Sequence, residues 1–128
     1  RVLFRSVTAD GGLTLFSNIE EGDSLTLMRG TIESLVSRAG RVTDAAVEAG
    51  DFTAEQVVGG LAIYCAGCML TVQPKMNEVS GNIHEALSDA PFVGVFTFGE
   101  QGCFLANDNA HGNLMISVVA FSNQPIQG

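Results

Sequence analysis

The sequence is poor in basic and aromatic residues: it has six lysine or arginine residues, one tyrosine and no tryptophan. Nucleic acids and anionic membranes bind proteins mainly through clustered basic side chains, so the net charge of −8 argues against both as partners. No uninterrupted apolar run reaches the roughly 18 residues of a membrane span, and the N-terminus lacks the apolar stretch of a secretion signal. The sequence therefore predicts a soluble, cytoplasmic protein.

Cysteine is also scarce, with three residues. An odd number does not make the disulfide framework of a small secreted scaffold, so we expect free thiols. The 128 residues are 46% hydrophobic and 16% charged, which favours a folded chain over a disordered one. This length suits one domain. Because it begins at Arg1 with a strand-like segment, we expect residues 1–128 to be one domain of a longer protein.

Three short β-prone segments open the chain, at residues 2–7, 13–16 and 24–29. The sequence Asp-Gly-Gly at positions 10–12 favours the positive φ angles of a hairpin turn between the first two. The third segment alternates less regularly and is bounded by glycine on both sides. We therefore predict three strands before the first helix.

Two helices are predicted further along the chain. Residues 31–49 carry apolar side chains at the spacing of one helical face, and Gly50 is a natural end. A buried strand follows within residues 60–67, and a second helix is expected with Pro74 near its first turn.

The last third of the chain predicts two strands, at residues 92–98 and 114–121, joined by a polar loop. The resulting order is βββ-α-β-α-ββ. Strands at both ends with helices between them predict an α+β fold, a two-layer sandwich with two main helices and a mixed, largely antiparallel sheet.

A Cys-x-x-Cys motif, formed by Cys65 and Cys68, stands where a strand is predicted to end. At the start of a helix this spacing is typical of a dithiol redox site, because the helix N-terminus lowers the thiol pKa from about 8.5 toward 7. Pro74 instead places the start of the helix several residues later, and the apolar run before Cys65 indicates a buried thiol. Inert core cysteines are therefore the simpler interpretation.

The same two cysteines, with Cys103 and His111, are weak candidates for a metal site. Zinc is usually held by four ligands in two closely spaced pairs, whereas this sequence has one such pair and two scattered candidates. His84 lies next to the apolar Ile83 and is expected on the flank of a helix. We therefore predict no metal site.

Glu100 follows the apolar segment at 92–98 and begins a polar, glycine-rich stretch. Its carboxylate is either a partner for a ligand amine at the sheet edge or simply the first solvated residue after a strand. Glycine is dense here and around Cys65, where it allows a close approach of backbone to ligand or a tight turn. These glycines are Gly59, Gly60, Gly67, Gly94, Gly99, Gly102 and Gly112.

Taken together, these segments resemble the C-terminal domain of the FIST family over nearly the whole chain. The firmest motif is "GVFTFGE" at positions 94–100, preceded by a strand that ends in "YCAG" and followed by the strand "NLMISVVAFS". The family's pattern has Cys-x-Gly-Arg-Gly at the first place and Gly-Phe-Phe-Thr-Tyr-Gly-Glu-Ile-Gly-Pro at the second.

The resemblance implies a sensory domain of bacterial signalling proteins and F-box proteins, usually preceded by an N-terminal FIST domain. Such domains are thought to bind small molecules, amino acids above all, and some are described as haem-containing gas sensors. A haem would need His111 or His84, since the sequence has no Cys-x-x-Cys-His attachment pattern. We expect a small-molecule ligand, a partner FIST domain and a downstream signalling protein, with no cofactor and no enzymatic activity.

The ligand site implied by the resemblance consists of Cys65, Gly67, Cys68, Gly99, Glu100, Gly102 and Cys103. Cys68 stands where the family has arginine, whose guanidinium would give a ligand carboxylate a bidentate partner that a thiol does not offer. Cys103 stands where the family has proline. We hypothesise that these two cysteines approach each other at the mouth of a pocket. Two alternatives stay open: a protein interaction module that packs on a partner domain, and a thiol oxidoreductase.

Overall fold

The N-terminal strands form a hairpin in the computed structural model, which describes residues 4–103 and 109–125, with the backbone alone at positions 103 and 110. Strands β1 (Phe4–Val7) and β2 (Leu13–Leu15) pair in antiparallel fashion, as predicted. Gly11 in their turn has a φ of 85°, a conformation that glycine adopts without steric cost.

The helices and strands that follow agree largely with the prediction. They are α1 (Ile32–Ala49), β3 (Val57–Cys65), α2 (Ala66–Val72), α3 (Met76–Ala86), β4 (Phe92–Thr97), β5 (Glu100–Cys103), β6 (Asn109–Gly112) and β7 (Ile116–Ser122). The predicted first helix and the strands at 92–98 and 114–121 are confirmed, and the strand at 60–67 begins earlier and ends at Cys65. None of the described helices is both long enough and apolar enough to cross a membrane.

The third predicted strand, at residues 24–29, does not form. Leu25 and Leu27 within it are 64% and 100% exposed. Among the described residues no strand pairs with this segment, so its backbone joins no hydrogen-bonded ladder and its apolar side chains cover no sheet face. The prediction of a strand is wrong here because an apolar pattern does not by itself provide a pairing partner.

The central sheet has the strand order β4-β3-β7, with β3 parallel to β4 and antiparallel to β7. Strands β5 and β6 form a separate antiparallel pair. The α+β class and the mixed, mostly antiparallel pairing are therefore confirmed. Because β3 and β4 run in the same direction, their carboxyl ends lie side by side, and Cys65 pairs with Thr97. This pairing brings the two sequence motifs to one edge of the sheet.

The two faces of the central sheet differ in burial. Side chains alternate between the faces along each strand. On one face Ala62, Tyr64 and Ile116 are buried in a core shared with α1 and α3. On the other face Val93 and Val119 remain 64% and 48% exposed. The helices thus cover one face, and this makes the two-layer arrangement.

Helices α1 and α3 pack closely on each other. Thr31 caps the start of α1, where its Oγ1 accepts a hydrogen bond of 3.2 Å from the Ser34 N–H. A Cβ at Gly40 would lie 3.3 Å from the backbone oxygen of Asn82 in α3, so this mid-helix glycine permits the close approach. The Asn82 amide in turn donates to the carbonyl of Val36 at 3.1 Å.

Candidate functional site

The Cys-x-x-Cys motif lies at the direct junction of β3 and α2. Strand β3 ends at Cys65 and a short helix that was not predicted, α2, begins directly at Ala66. The predicted second helix, with Pro74 near its first turn, is α3, which begins at Met76. Pro74 lies in a short 3-10 turn between α2 and α3, where its missing N–H and ring interrupt the helix. The motif therefore has the strand-to-helix context of a redox dithiol.

The environment of Cys68 opposes redox chemistry at neutral pH. Both thiols are free and buried. Burial, with the neighbouring Cys65 as the next cause, raises the pKa of Cys68 to about 12. Since the thiolate is the nucleophile in disulfide exchange, a thiol with this pKa is almost fully unreactive near neutrality. The simpler interpretation, inert core thiols, has the support of this environment.

The second motif turns sharply at Gly99. This residue has a φ of 87°, and a Cβ there would lie 2.9 Å from Cε1 of His111. Both the backbone angle and the contact favour glycine. The chain then enters β5, whose first residue, Glu100, pairs with Gly112 of β6. The segment predicted as a loop therefore contains two paired strands, which its polar, glycine-rich composition did not indicate.

Glu100 is the most deeply buried charged residue among those described, with 1% of its surface exposed. One carboxylate oxygen, Oε1, accepts a hydrogen bond of 3.0 Å from the Thr97 hydroxyl. The other, Oε2, is buried and has no hydrogen-bond partner among the described residues. The expectation that Glu100 is merely a solvated residue after a strand is therefore wrong, and a buried acceptor is left unsatisfied.

An arginine from outside both motifs reaches this place. The Arg38 side chain extends from α1 and donates through Nη2 to the Leu114 carbonyl at 2.8 Å and to the Cys68 Sγ at 3.8 Å. Its Nε is buried and has no acceptor among the described residues. Cys68 occupies the arginine position of the family pattern, so a guanidinium is present beside that position even though the motif lacks one.

Sequence reasoning missed Arg38, although a signal for it exists. Arg38 follows Leu35 by three residues and precedes Val42 by four, which places it on the apolar stripe of α1. A charged residue on a buried helical stripe is rarely buried without a partner. Its partners are contributed by residues 30 and 76 positions away in sequence, which periodicity does not reveal.

A pocket of about 100 Å³ opens at the same edge of the sheet. Its lining combines apolar rings with polar groups. The lining residues are Phe16, Cys65, Phe98, Gly99, His111 and Asn113. Phe98 is 78% exposed, whereas Asn113 is 5% exposed, so the pocket has an aromatic outer part and a polar inner part. Cys65 and Gly99 are predicted site residues, and the other four were not singled out as ligand-binding residues from the sequence.

None of the other predicted site residues whose side chains are described lines this pocket. Cys68 and Glu100 lie next to wall residues. Gly67 is within α2, and a Cβ at Gly102 would lie 3.6 Å from Oγ of Ser117 in β7. The side chain of Cys103 lies outside the described residues, and so does the hypothesis that it approaches Cys68.

The described residues offer few ligands for a metal ion or a haem. Among the described side chains no group of three or more histidine, cysteine or acidic residues could hold a metal ion. His84, in the last turn of α3, bonds Asp89 through Nδ1 at 2.8 Å on the surface. His111 lines a pocket of about 100 Å³, below the roughly 300 Å³ at which pockets for larger ligands begin. The described residues therefore do not fit a haem.

The comparisons with known proteins agree with the motifs. The family model described as the FIST C domain matches residues 1–103, which is most of the chain and includes both motifs and Glu100. A search among curated proteins finds no match. The resemblance noted from the sequence is thereby confirmed, and the chain belongs to the FIST C domain family, a family of sensory domains in signal transduction.

Proposed function

We propose that this domain senses a small molecule that carries an amino group, an amino acid being the representative ligand, within an intracellular signalling protein. The observation that carries the proposal is the Glu100 carboxylate. It is almost completely buried where the two motifs meet, and its Oε2 lacks a hydrogen-bond donor among the described residues. In this proposal the domain binds its ligand and does not transform it.

A ligand ammonium group would satisfy the buried carboxylate. An unsatisfied buried polar atom costs about 1 to 3 kcal/mol, and more when the group is charged. An ammonium supplies N–H donors and the opposite charge, and such charge-assisted hydrogen bonds are roughly twice as strong as neutral ones. Ligand binding would thus remove the free-energy cost of the unsatisfied Glu100 oxygen.

The pocket supports a small ligand with one polar and one apolar end. Its volume of about 100 Å³ is several times the roughly 15 Å³ that a single bound water requires. The buried Asn113 would face the polar end, and the rings of Phe16 and Phe98 would contact the apolar end. Apolar walls with few, well-placed polar groups are typical of small-molecule sites.

The pocket walls also suggest how binding could be transmitted. Phe16 directly follows β2 of the N-terminal hairpin, whereas Gly99 and His111 belong to the segment that forms β5 and β6. A ligand in contact with both would tie two separate hairpins together. A ligand shifts a conformational equilibrium only if it binds one conformation more tightly than the other. We propose that ligand binding changes the relative position of the two hairpins and that this change is the signal.

The test is a thermal-shift screen of the protein with the twenty L-amino acids, followed by calorimetric titration. A ligand at one hundred times its dissociation constant adds about 2.7 kcal/mol of stability, which raises the melting temperature by several degrees. Glu100→Gln keeps the size of the side chain but removes its charge, and we expect it to weaken binding at least tenfold. The matched control is Glu85→Gln on the exposed side of α3, which should leave binding unchanged. Equal binding by the Glu100→Gln protein, or no stabilisation by any amino acid, would contradict the proposal.

A second candidate function, a protein interaction module, is favoured by the uncovered face of the central sheet. Val93, Val95, Val119 and Phe121 are each at least 40% exposed there. Clustered exposed apolar side chains are typical of interaction surfaces. The test is titration with a separately expressed N-terminal FIST domain, comparing the wild-type protein with Phe121→Asp. Loss of binding in this variant would support the module, and the absence of wild-type binding would contradict it.

A further inference from the structure

The buried region beside the pocket contains one unused donor as well as one unused acceptor. The acceptor is Oε2 of Glu100, and the donor is Nε of Arg38. The two groups carry opposite charges but form no ion pair with each other; the ion pairs found among the described residues lie elsewhere, at Lys75 and His84. A carboxylate and a guanidinium form strong, often bidentate hydrogen bonds when they meet. Each of these two groups is therefore left with hydrogen-bonding capacity that a ligand carrying both a donor and an acceptor would satisfy.

Arg38 and Glu100 both interact with Cys68. Arg38 donates a hydrogen bond to the Cys68 sulfur at 3.8 Å. The charges of Arg38 and Glu100 act on this same thiol with opposite signs: Arg38 lowers its pKa and Glu100 raises it. One thiol thus has the positive group and the negative group within electrostatic reach.

Both groups also adjoin the pocket wall. Arg38 holds the carbonyl of Leu114, the residue after the pocket-lining Asn113. Glu100 is the residue after the pocket-lining Gly99. Cys65, which completes this part of the wall, is close enough to Cys68 to affect its pKa. The residue of the unused acceptor and the hydrogen-bond partner of Arg38 are therefore each adjacent in sequence to a residue of the pocket wall.

We propose that Arg38 binds a carboxylate of the ligand while Glu100 binds its ammonium group, so that the site selects a zwitterionic α-amino acid over the corresponding amine. This inference rests on the proposed function, because it adds a second anchor for the same ligand. A zwitterion matches one guanidinium and one carboxylate with no net charge left over. An amine alone leaves the buried Arg38 Nε without an acceptor. Arg38 thereby takes the role that the arginine of the family motif would have at position 68.

The experiment compares amino acids with amines that differ only in the carboxylate. The probes are four pairs: glycine and methylamine, L-alanine and ethylamine, L-leucine and isopentylamine, and L-phenylalanine and phenethylamine. Each is titrated calorimetrically into the wild-type protein and into Arg38→Gln and Arg38→Lys. The matched control is Arg41→Gln, an exposed arginine on the same helix whose guanidinium donates to the Ser37 hydroxyl. Melting temperatures without ligand show whether each variant folds.

In the wild-type protein we expect at least one amino acid to bind about ten to one hundred times more tightly than its amine, the range of a hydrogen bond to a charged group. In Arg38→Gln the amino acid and the amine should bind about equally well, with the affinity for the amine unchanged from the wild-type protein. Arg38→Lys should keep part of the preference for the amino acid. A merely structural Arg38 would weaken the amino acid and the amine equally.

The outcomes separate this inference from the proposed function. If Glu100→Gln abolishes binding but both Arg38 variants keep the full preference for the amino acid, the role of Arg38 is wrong and the proposed function stands. If the wild-type protein binds an amine as tightly as its amino acid, the zwitterion is not selected and this inference is again overturned. If none of the eight compounds binds, both proposals are overturned for ligands of this class.

Discussion

The two faces of the central sheet are covered to very different extents by the rest of the chain. The face of Ala62 and Tyr64 packs against α1 and α3, and these two residues are 2% and 4% exposed. The opposite face is covered only at the Cys65 end, where β5 contacts β3 and β7. The remainder, around Val93 and Phe121, is open. The candidate site lies at the boundary, where the covered part of the second face gives way to the pocket.

This comparison teaches that stability and ligand chemistry are carried by different faces of one sheet. The helix side contains the apolar core, which fixes the strands. The partly covered end of the other side contains Glu100, whose unsatisfied oxygen is a cost to stability rather than a contribution. Substitutions in the core on the helix side should therefore lower the free energy of unfolding strongly. Substitutions on the open face should change it very little.

The largest effect is expected on the sealed side, at Leu87. This residue follows α3 and has no exposed surface. Leu87→Ala would leave a cavity and should lower the free energy of unfolding by about 3 to 5 kcal/mol. Urea denaturation followed by circular dichroism measures the change. A loss below 1 kcal/mol would show that the helix side isn't the main source of stability.

The next effect is a dependence on alkaline pH that comes from Cys68. The folded protein keeps the thiol proton to about pH 12, whereas the unfolded chain releases it near its ordinary pKa of 9.0. The unfolded state therefore gains stability as pH rises above 9, and the free energy of unfolding should fall by about 3 kcal/mol by pH 11 from this group alone.

The control for this pH dependence is Cys68→Ala. The wild-type protein should lose about 3 kcal/mol more than this variant between pH 8 and pH 11. Burial, with Cys68 as the next cause, also raises the pKa of Tyr64 to about 12. Tyr64 therefore adds a loss of its own in both proteins, and this loss should be slightly smaller in the variant because the Cys68 charge is absent. Parallel pH profiles for the two proteins in urea titrations would contradict the buried, proton-holding Cys68.

A moderate effect is expected at the boundary, at Gly99. Gly99→Ala would force a side chain into a positive φ and against the His111 ring, at a cost of about 1 to 3 kcal/mol. Gly81→Ala is the control, because Gly81 lies within α3 with open space around it. That change should instead stabilise the protein by about 0.5 to 1 kcal/mol. Thermal melting of both variants decides whether the turn at Gly99 is as constrained as the geometry indicates.

The smallest effect is expected on the open face. Val119→Thr replaces one branched side chain with another of similar shape at a position that is 48% exposed. We expect this substitution to change the free energy of unfolding by no more than about 0.5 kcal/mol. A loss of 2 kcal/mol or more in differential scanning calorimetry would mean that this face is covered in solution, and the contrast between the two faces would then disappear.

Much of the fold follows from local sequence, because α1 needs only its apolar spacing, the Thr31 cap and Gly50. The hairpin turn at Gly11 is equally local. Residues 24–29 were misjudged because a strand also needs a neighbour, and neighbours are set by the whole chain. Strands β5 and β6 were not predicted because their polar, glycine-rich composition does not favour strands. They form because the two segments pair with each other.

The site divides in the same way. The motifs indicated Cys65, Gly99 and Glu100, because short sequence patterns identify the ends of strands. They did not indicate Arg38, whose role depends on α1 packing over the sheet edge, nor Asn113, whose burial depends on the start of β7. The unpaired Oε2 of Glu100 is a property of three-dimensional geometry, which no spacing in the sequence expresses.

The Arg38 contacts have a consequence for how the protein folds. They join residues 30 and 76 positions apart in the chain, and contacts of such long separation form slowly because a large loop must close first. Arg38 therefore meets the Leu114 carbonyl only when two distant segments of the chain have assembled. A ligand that engages Arg38 and Glu100 together would bind only molecules in which this assembly is complete, so it would report on folding as well as on its own concentration.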